Sequence, residues 1–262
     1  MAWPFVPGTL VADERHMRPM SDAVKLSLVI PCYNEGPGLS RLVARCEELT
    51  ARIPCEVILV NNGSKDNSAE VLAQLTADKP ALRVVNVEVN QGYGFGILSG
   101  LRAARGEIIG WTHADMQTDP MDSVTAYEMF KASADPARLF TKGRRYGRPL
   151  ADQVFTLGMT IFETVLLGRV LYDVNAQPTC FPRTFFESWQ NPPHDFSLDL
   201  FAYNLAKRAR FDVKRHPVYF GKREHGQSSW NVNWSSKYKF IKRTVDYSLR
   251  LRRELPDSTP KT

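Results

Sequence analysis

The segment THADMQTDP (residues 112–120) places Asp115 two positions before Gln117. A divalent cation serving a nucleotide is usually held by one or two protein oxygens, with substrate phosphates completing its shell. The Asp115 carboxylate and the Gln117 amide oxygen suit that arrangement, and His113 can add an imidazole. The same residues also suit a polar loop in which Asp119 caps a helix starting at Pro120. Two further segments, PCYNEG (31–36) and NNGSKDNS (61–68), carry groups that recognise a nucleoside. Tyr33 offers a ring face for stacking, and Glu35, Asn61 and Asn62 can bond ribose hydroxyls or base edges. Asn-Asn-Gly-Ser equally suits a tight turn with no ligand. NQGYGFG (90–96) is like a dinucleotide fingerprint, but that fingerprint belongs after the first strand of a fold, with an acid about 20 residues on. Gly92, Gly94 and Gly96 are therefore read as admitting the close approach of a ligand or a neighbouring helix.

The elements that must position these residues alternate. Lys25–Ile30, Glu56–Val60, Leu82–Val89 and Glu107–Trp111 are β-rich runs. Leu39, Leu42, Val43, Cys46 and Leu49 fall at helical spacing between the first two. Asp66 or Asn67 can cap a second helix carrying Val71, Leu72 and Leu75, and Tyr93–Arg105 forms a third. Strand–helix alternation with short links implies right-handed crossovers and a mainly parallel, Rossmann-like sheet. Ligands of such sheets bind beyond the carboxyl ends of the strands. PCYNEG, NNGSKDNS and THADMQTDP follow strands one, two and four, so they are predicted to meet at one rim. Further on, Pro120–Ser133, Ala151–Gly168 (strongly apolar), Phe196–Arg208 and Lys237–Arg252 read as helices, and Arg138–Lys142 and Phe211–Phe220 as strands. Asp173–Phe181 reads as extended and Gly221–Asn233 as a polar loop. Phe196, Leu200, Phe201 and Leu205 are predicted to face inward.

The 262 residues are 43 % hydrophobic and 24 % charged, which excludes a disordered chain, a collagen-like repeat and a disulfide-dense miniature. No repeat, low-complexity tract or interdomain linker is visible, so a single α/β domain is expected over residues 25–233. Residues 1–24 read as a loose extension, with Met17 and Met20 as alternative starts and no basic-then-apolar secretory pattern. Residues 234–262 read as a basic amphipathic helix and tail. Cys32, Cys46, Cys55 and Cys180 lack C-x-x-C spacing and read as reduced thiols of a cytoplasmic protein, three of them in the core. The most apolar helix, Val154–Leu167, is interrupted by Glu163, so no membrane span is expected. From Asn204 to Arg253, fourteen Lys or Arg face only Asp212, Glu224 and Asp246, a local +11 in a chain of net +6. That end suits an anionic partner.

The blocks LSLVIPCYNEG, EVILVNNGSKDNS, NQGYGFGILSGLRAARGEIIGWTHADMQTDP and YFGKREHGQSSW resemble, in order, those of inverting family 2 glycosyltransferases, in particular the dolichol-phosphate mannose synthase-like branch. The resemblance runs from about Lys25 to Trp230. It implies a GT-A-type single domain, a UDP- or GDP-sugar donor, and Mg²⁺ or Mn²⁺. By position it implies that Pro31, Tyr33, Glu35 and Asn62, with Asn61, Gly92 and Ala114, hold the donor. Asp115 and Gln117 would hold the metal and diphosphate. Arg144, Lys222, Arg223 and Ser228 would face phosphate or acceptor. Two positions depart from the family pattern. Asn61-Asn62-Gly63-Ser64 replaces Asp-Asp-Gly-Ser, which bears on base or sugar preference. His113-Ala114-Asp115 replaces Asp-x-Asp, and one carboxylate fewer weakens a hard-cation site.

The implied reaction is displacement at the anomeric carbon with inversion. A hydroxyl acceptor, as in a lipid-linked or cell-surface glycan, requires a carboxylate base. Asp199 and Asp195 are the candidates, with Asp195 equally suited to cap its helix and Asp199 free to point to the rim or to solvent. A polyprenyl phosphate acceptor needs no base. Apolar residues within the basic last helix suit an anionic bilayer surface, which implies a cytoplasmic protein peripheral to the membrane, although the same helix could pack on the domain with its charges solvated. Three rivals remain: a nicotinamide oxidoreductase, which lacks its first-turn glycines; a nucleic-acid-binding module, which lacks any recognition motif; and a catalytically weak family member acting as a nucleotide-binding scaffold.

Overall fold

Alternating aliphatic residues send β1 (Leu26–Cys32) into two cores at once. Leu26, Leu28 and Ile30 pack on one face with α1 (Leu39–Arg52), while Val29 packs on the other with α3 (Tyr93–Ala103). β2 (Cys55–Asn62) is buried along its whole length, as an interior parallel strand must be. The remaining elements are α2 (Ser68–Thr76), β3 (Leu82–Val87), β4 (Ile108–Trp111), α4 (Asp122–Lys131), β5 (Leu139–Tyr146), α5 (Leu150–Leu167), β6 (Thr179–Pro182), α6 (Arg183–Glu187), α7 (Leu198–Arg208), β7 (Asp212–Tyr219) and α8 (Trp234–Glu254). The computed structural model describes residues 24–221 and 234–254, the side chains of 234–240 and 254 excepted.

The seven strands are ordered β3-β2-β1-β4-β6-β5-β7. All neighbours are parallel except β6, which runs antiparallel to both β4 and β5. The sheet is thus the mainly parallel one predicted. β5 and β7 run in the same sense as β4, so their carboxyl ends reach the same edge.

Several boundaries differ from the sequence reading. β2 runs on through Asn61 and Asn62, because β3 pairs with both. Of Asp173–Phe181 only the end joins a strand. α7 starts at Leu198, two residues late, because residues 195–197 form a turn first: Asp195 Oδ1 accepts the Ser197 N–H at 2.9 Å and its carbonyl the Leu198 N–H at 3.2 Å. All faces of α7 are covered, so it is not amphipathic. Asp66 rather than Asn67 caps α2, accepting the Ser68 N–H at 3.0 Å. Asp119 caps α4 through the Met121 N–H and also clamps Arg45 at 2.7 Å. All four cysteines are buried and free.

Candidate functional site

The carboxyl ends of β1 and β2 are laced together. The Asn34 N–H donates to Ser64 Oγ (3.1 Å), the Lys65 N–H to Asn34 Oδ1 (2.8 Å), and the Glu35 N–H to Ser68 Oγ (3.1 Å). Asn34 adopts φ 54°, a left-handed conformation that asparagine tolerates. The lacing leaves the Tyr33 ring exposed and Glu35 half-buried beyond Pro31. Asn61 donates to Asn86 Oδ1 at 3.0 Å and accepts the Ser64 N–H at 3.3 Å. Asn62 is buried and donates to the Gly92 carbonyl at 3.0 Å; among the described residues its Oδ1 has no partner.

β4 delivers the third segment beside these two. Asp115 is half-buried and its Oδ1 accepts the Gln117 N–H at 3.1 Å, across Met116 at φ 56°. Gln117 is latched to the end of β7: its Nε2 donates to the Gly221 carbonyl (3.2 Å) and its carbonyl accepts the Gly221 N–H (2.8 Å). The His113 ring lies 5.7 Å from Tyr93, which stacks on Phe196 at 4.6 Å. Arg144 is exposed on β5 at the same edge. The three polar segments therefore meet as predicted, and β5 and β7 add their ends to the same rim. Lys222, Arg223, Ser228 and Trp230 lie outside the described residues.

Some residues sit differently from their expected places. Ala114 packs in the core against the α1 side, so only its backbone can meet a ligand. A Cβ on Gly92 (φ +114°) would stand 2.4 Å from the His194 carbonyl, and one on Gly94 2.6 Å from that of Pro193. These glycines admit a loop of the protein itself, fastened by the Phe95 N–H to the His194 carbonyl at 2.9 Å, rather than a ligand or a helix. Asp199 does not point to solvent. It is 2 % exposed, and its Oδ1 accepts from Trp111 Nε1 (3.3 Å) and from Gln177 Nε2. Below it lies Lys142, fully buried, with Nζ 3.7 Å from Asp199 Oδ1 and donating to Thr179 Oγ1 at 2.8 Å. Burial pushes the Lys142 ammonium down to about 8, against the attraction of Asp199. Burial, with Asp199 and Asp115 nearby, also holds the Tyr93 phenol well above its ordinary value. Asp195, besides closing the turn before α7, is partly exposed, with its Oδ2 3.7 Å from Arg243 Nε.

Lys142, Gln177 and Trp111 form the floor under this rim, and sequence reasoning missed all three. In TKGRRYG nothing separates Lys142 from the arginines beside it: strand alternation puts Lys142 and Arg144 on the same face, yet the first is buried and the second exposed. The donors at the rim fit a hard cation shared with a diphosphate: one half-buried carboxylate at Asp115, the Gln117 amide and the His113 imidazole. Among the described residues no three His, Cys, Asp or Glu side chains converge on a point, so a full protein cage does not exist there.

A mainly parallel sheet with one antiparallel strand, polar loops gathered at its carboxyl edge and a lone carboxylate after β4 defines the GT-A class of nucleotide-sugar folds. Solved structures agree. Glucosyl-3-phosphoglycerate synthase from Mycobacterium tuberculosis, in complex with Mn²⁺, UDP and glucosyl-3-phosphoglycerate, superposes with a TM-score of 0.66 at 17 % identity, over 89 % of this chain and 81 % of that one. The same enzyme with Mg²⁺ and UDP gives 0.67 at 16 % identity over the same shares. The family profile described as Glycosyl transferase family 2 matches residues 27–188. The chain belongs to glycosyl transferase family 2. Among its relatives, undecaprenyl-phosphate 4-deoxy-4-formamido-L-arabinose transferase of Edwardsiella ictaluri (strain 93-146) is 38 % identical over 223 residues, and that of Serratia proteamaculans (strain 568) 39 % over 218. Each alignment covers 79 % of this chain but 63 % of the relative, so the chain spans less than two thirds of these proteins' length.

Proposed function

We propose that this protein transfers a sugar from a UDP- or GDP-sugar to a polyprenyl phosphate, with inversion, as a peripheral protein at the cytoplasmic face of the membrane. The observation that carries the reading is the gathering of Tyr33, Glu35, Asn62, His113, Asp115, Gln117 and Arg144 at one sheet edge. Tyr33 stacks on the base, and Glu35, Asn61 and Asn62 hold the nucleoside edge, with Pro31 and the Ala114 backbone beside them, while Gly92 contributes by letting the His194 loop close against the site. Asp115, Gln117 and His113 would hold Mg²⁺ or Mn²⁺, which when bound neutralises charge on the diphosphate. Arg144, joined by Lys222, Arg223 and Ser228, faces phosphate groups of donor and acceptor. Charge that develops on the departing nucleoside diphosphate is then met by preorganised cations, the largest contribution expected for such a step.

The burial of Asp199 supports a phosphate acceptor. A hydroxyl must lose its proton to a base within hydrogen-bond reach, whereas a phosphate oxygen attacks already charged. Asp195 is the better exposed carboxylate, but it closes the turn before α7. The names of the relatives, with undecaprenyl phosphate in them, point the same way.

The test is transfer of labelled sugar from UDP- and GDP-sugars to undecaprenyl phosphate with Mn²⁺. Labelled lipid should form, Asp115→Asn should lower the rate at least ~10²-fold, and Asp195→Asn should leave it nearly unchanged. A loss of ~10²–10⁴-fold on Asp195→Asn in a normally folded protein would mark a hydroxyl acceptor, such as a glycan, and overturn the choice of phosphate.

A further inference from the structure

α5 is eighteen residues long and, among the described residues, the one helix long and apolar enough to cross a bilayer. Leu150, Val154, Leu157, Ile161 and Val165 follow one another at intervals of four, three, four and four, which is a single stripe along the helix. They are exposed by between 52 % (Leu157) and 78 % (Val165), with Phe155 beside them. A soluble protein rarely leaves such a row in water without a use for it. Glu163, the residue that interrupts the apolar run in sequence, does not interrupt this stripe. It lies on the opposite face, 2 % exposed, and accepts a hydrogen bond from Ser248 of α8 at 2.8 Å.

Crossing is excluded by how the helix is tethered. Arg145, before α5, donates from its N–H and Nε to the Asp173 carboxylate, after α5, at 3.1 and 2.9 Å. Asp173 is buried and Leu171 is in the core. Eighteen residues make about 27 Å of helix, close to the ~30 Å of a hydrocarbon core. A crossing helix would put residues 149 and 168 on opposite sides of the membrane, although the flanking chain closes on one ion pair. Residues 146–149 and 168–172 would then have to run through lipid with their backbone groups unpaired, which a bilayer does not tolerate. α8, packed along α5, would carry its arginines in as well.

The neighbouring charge indicates the partner. α8 carries Lys237, Lys239, Lys242, Arg243, Arg250, Arg252 and Arg253 against Asp246 and Glu254. α8 packs on the face of α5 opposite the stripe, so a bilayer that takes up the aliphatic row lies one helix diameter from these cations, near enough for anionic headgroups to attract them. We propose that α5 is the element on which this protein rests in an anionic membrane, lying flat with its Leu150–Val165 stripe inserted and its ends held on the same side. The inference does not depend on the transferase reading, since lipid binding is measured without donor or acceptor.

The full chain is sedimented with phosphatidylcholine vesicles with and without phosphatidylglycerol. Binding to the anionic vesicles is expected, with release by high salt or carbonate, and Val154→Asp with Ile161→Asp should weaken it at least about tenfold. Tryptophan placed by Ile161→Trp should shift its emission to the blue on adding those vesicles. Three results would overturn the proposal: unaltered binding by the double variant, an unshifted Trp emission, or release by detergent alone, which marks a crossing helix. A wild-type dimer that the double variant splits, with no vesicle binding, would assign the stripe to a second copy and overturn it equally.

Discussion

Every side chain of β2 is buried and half are aliphatic, whereas β5, on the far side of the sheet, carries Lys142, Arg144 and Arg145 within four residues. The first half of the fold, β1 to β4, is held mainly by periodic apolar residues over short connections. It does bury Glu56, at the opposite edge from the site, where hydrogen bonds from Arg83, Ser27 and the Arg105 N–H hold the carboxyl below its usual range against the effect of burial. The second half relies on buried polar partners over long sequence distances: the ion pairs Lys142 with Asp199 and Arg145 with Asp173, and the hydrogen bond of Glu163 with Ser248. The contrast teaches where each half is vulnerable. Losing one aliphatic residue leaves a cavity, but losing one member of a buried pair leaves a charge with no partner.

The largest break should come from Lys142→Met. Asp199 would stay buried without its cation, and chemical denaturation should show a loss of about 3–5 kcal/mol. Lys142→Met combined with Asp199→Leu should recover most of it, because neither charge then remains. A single variant within about 1 kcal/mol of wild type would show that the pair does not hold the second half together.

Glu163 sharpens the comparison through pH. Burial raises its carboxyl to about 7, against the hydrogen bond from Ser248. The folded state therefore keeps its proton where the unfolded chain, near 4.5, has lost it. Stability from this group is full below about 4.5 and is lost as pH rises through 7. The span corresponds to about 3 kcal/mol at about 1.4 kcal/mol per pH unit. Glu163→Gln should flatten that decline, so that the variant gains on wild type between pH 5 and pH 8 in paired denaturation curves. Parallel curves would place Glu163 in contact with water.

The same contrast explains what was legible in the sequence. Tyr33, Asn61, Asn62 and Asp115 could be brought together from strand periodicity alone, because short βα links leave one edge for all of them. Asp199 could not be oriented, since an acid one turn into a helix has no local signal when α7 is covered on every face. Glu163 looked like a break in an apolar helix because sequence distance does not say which face a neighbour covers; Ser248, eighty-five residues on, decides that. Arg145 and Asp173 were opaque for the same reason.

The central claim is that Asp115 anchors a nucleoside diphosphate at the carboxyl edge of β4, and thermal melting with UDP or GDP and Mn²⁺ tests it most directly. A ligand that binds only the native state raises its melting temperature. Wild type should melt higher with one of the two nucleotides plus Mn²⁺, and Asp115→Ala, melting normally without ligand, should lose that rise. An undiminished rise in Asp115→Ala would contradict the account.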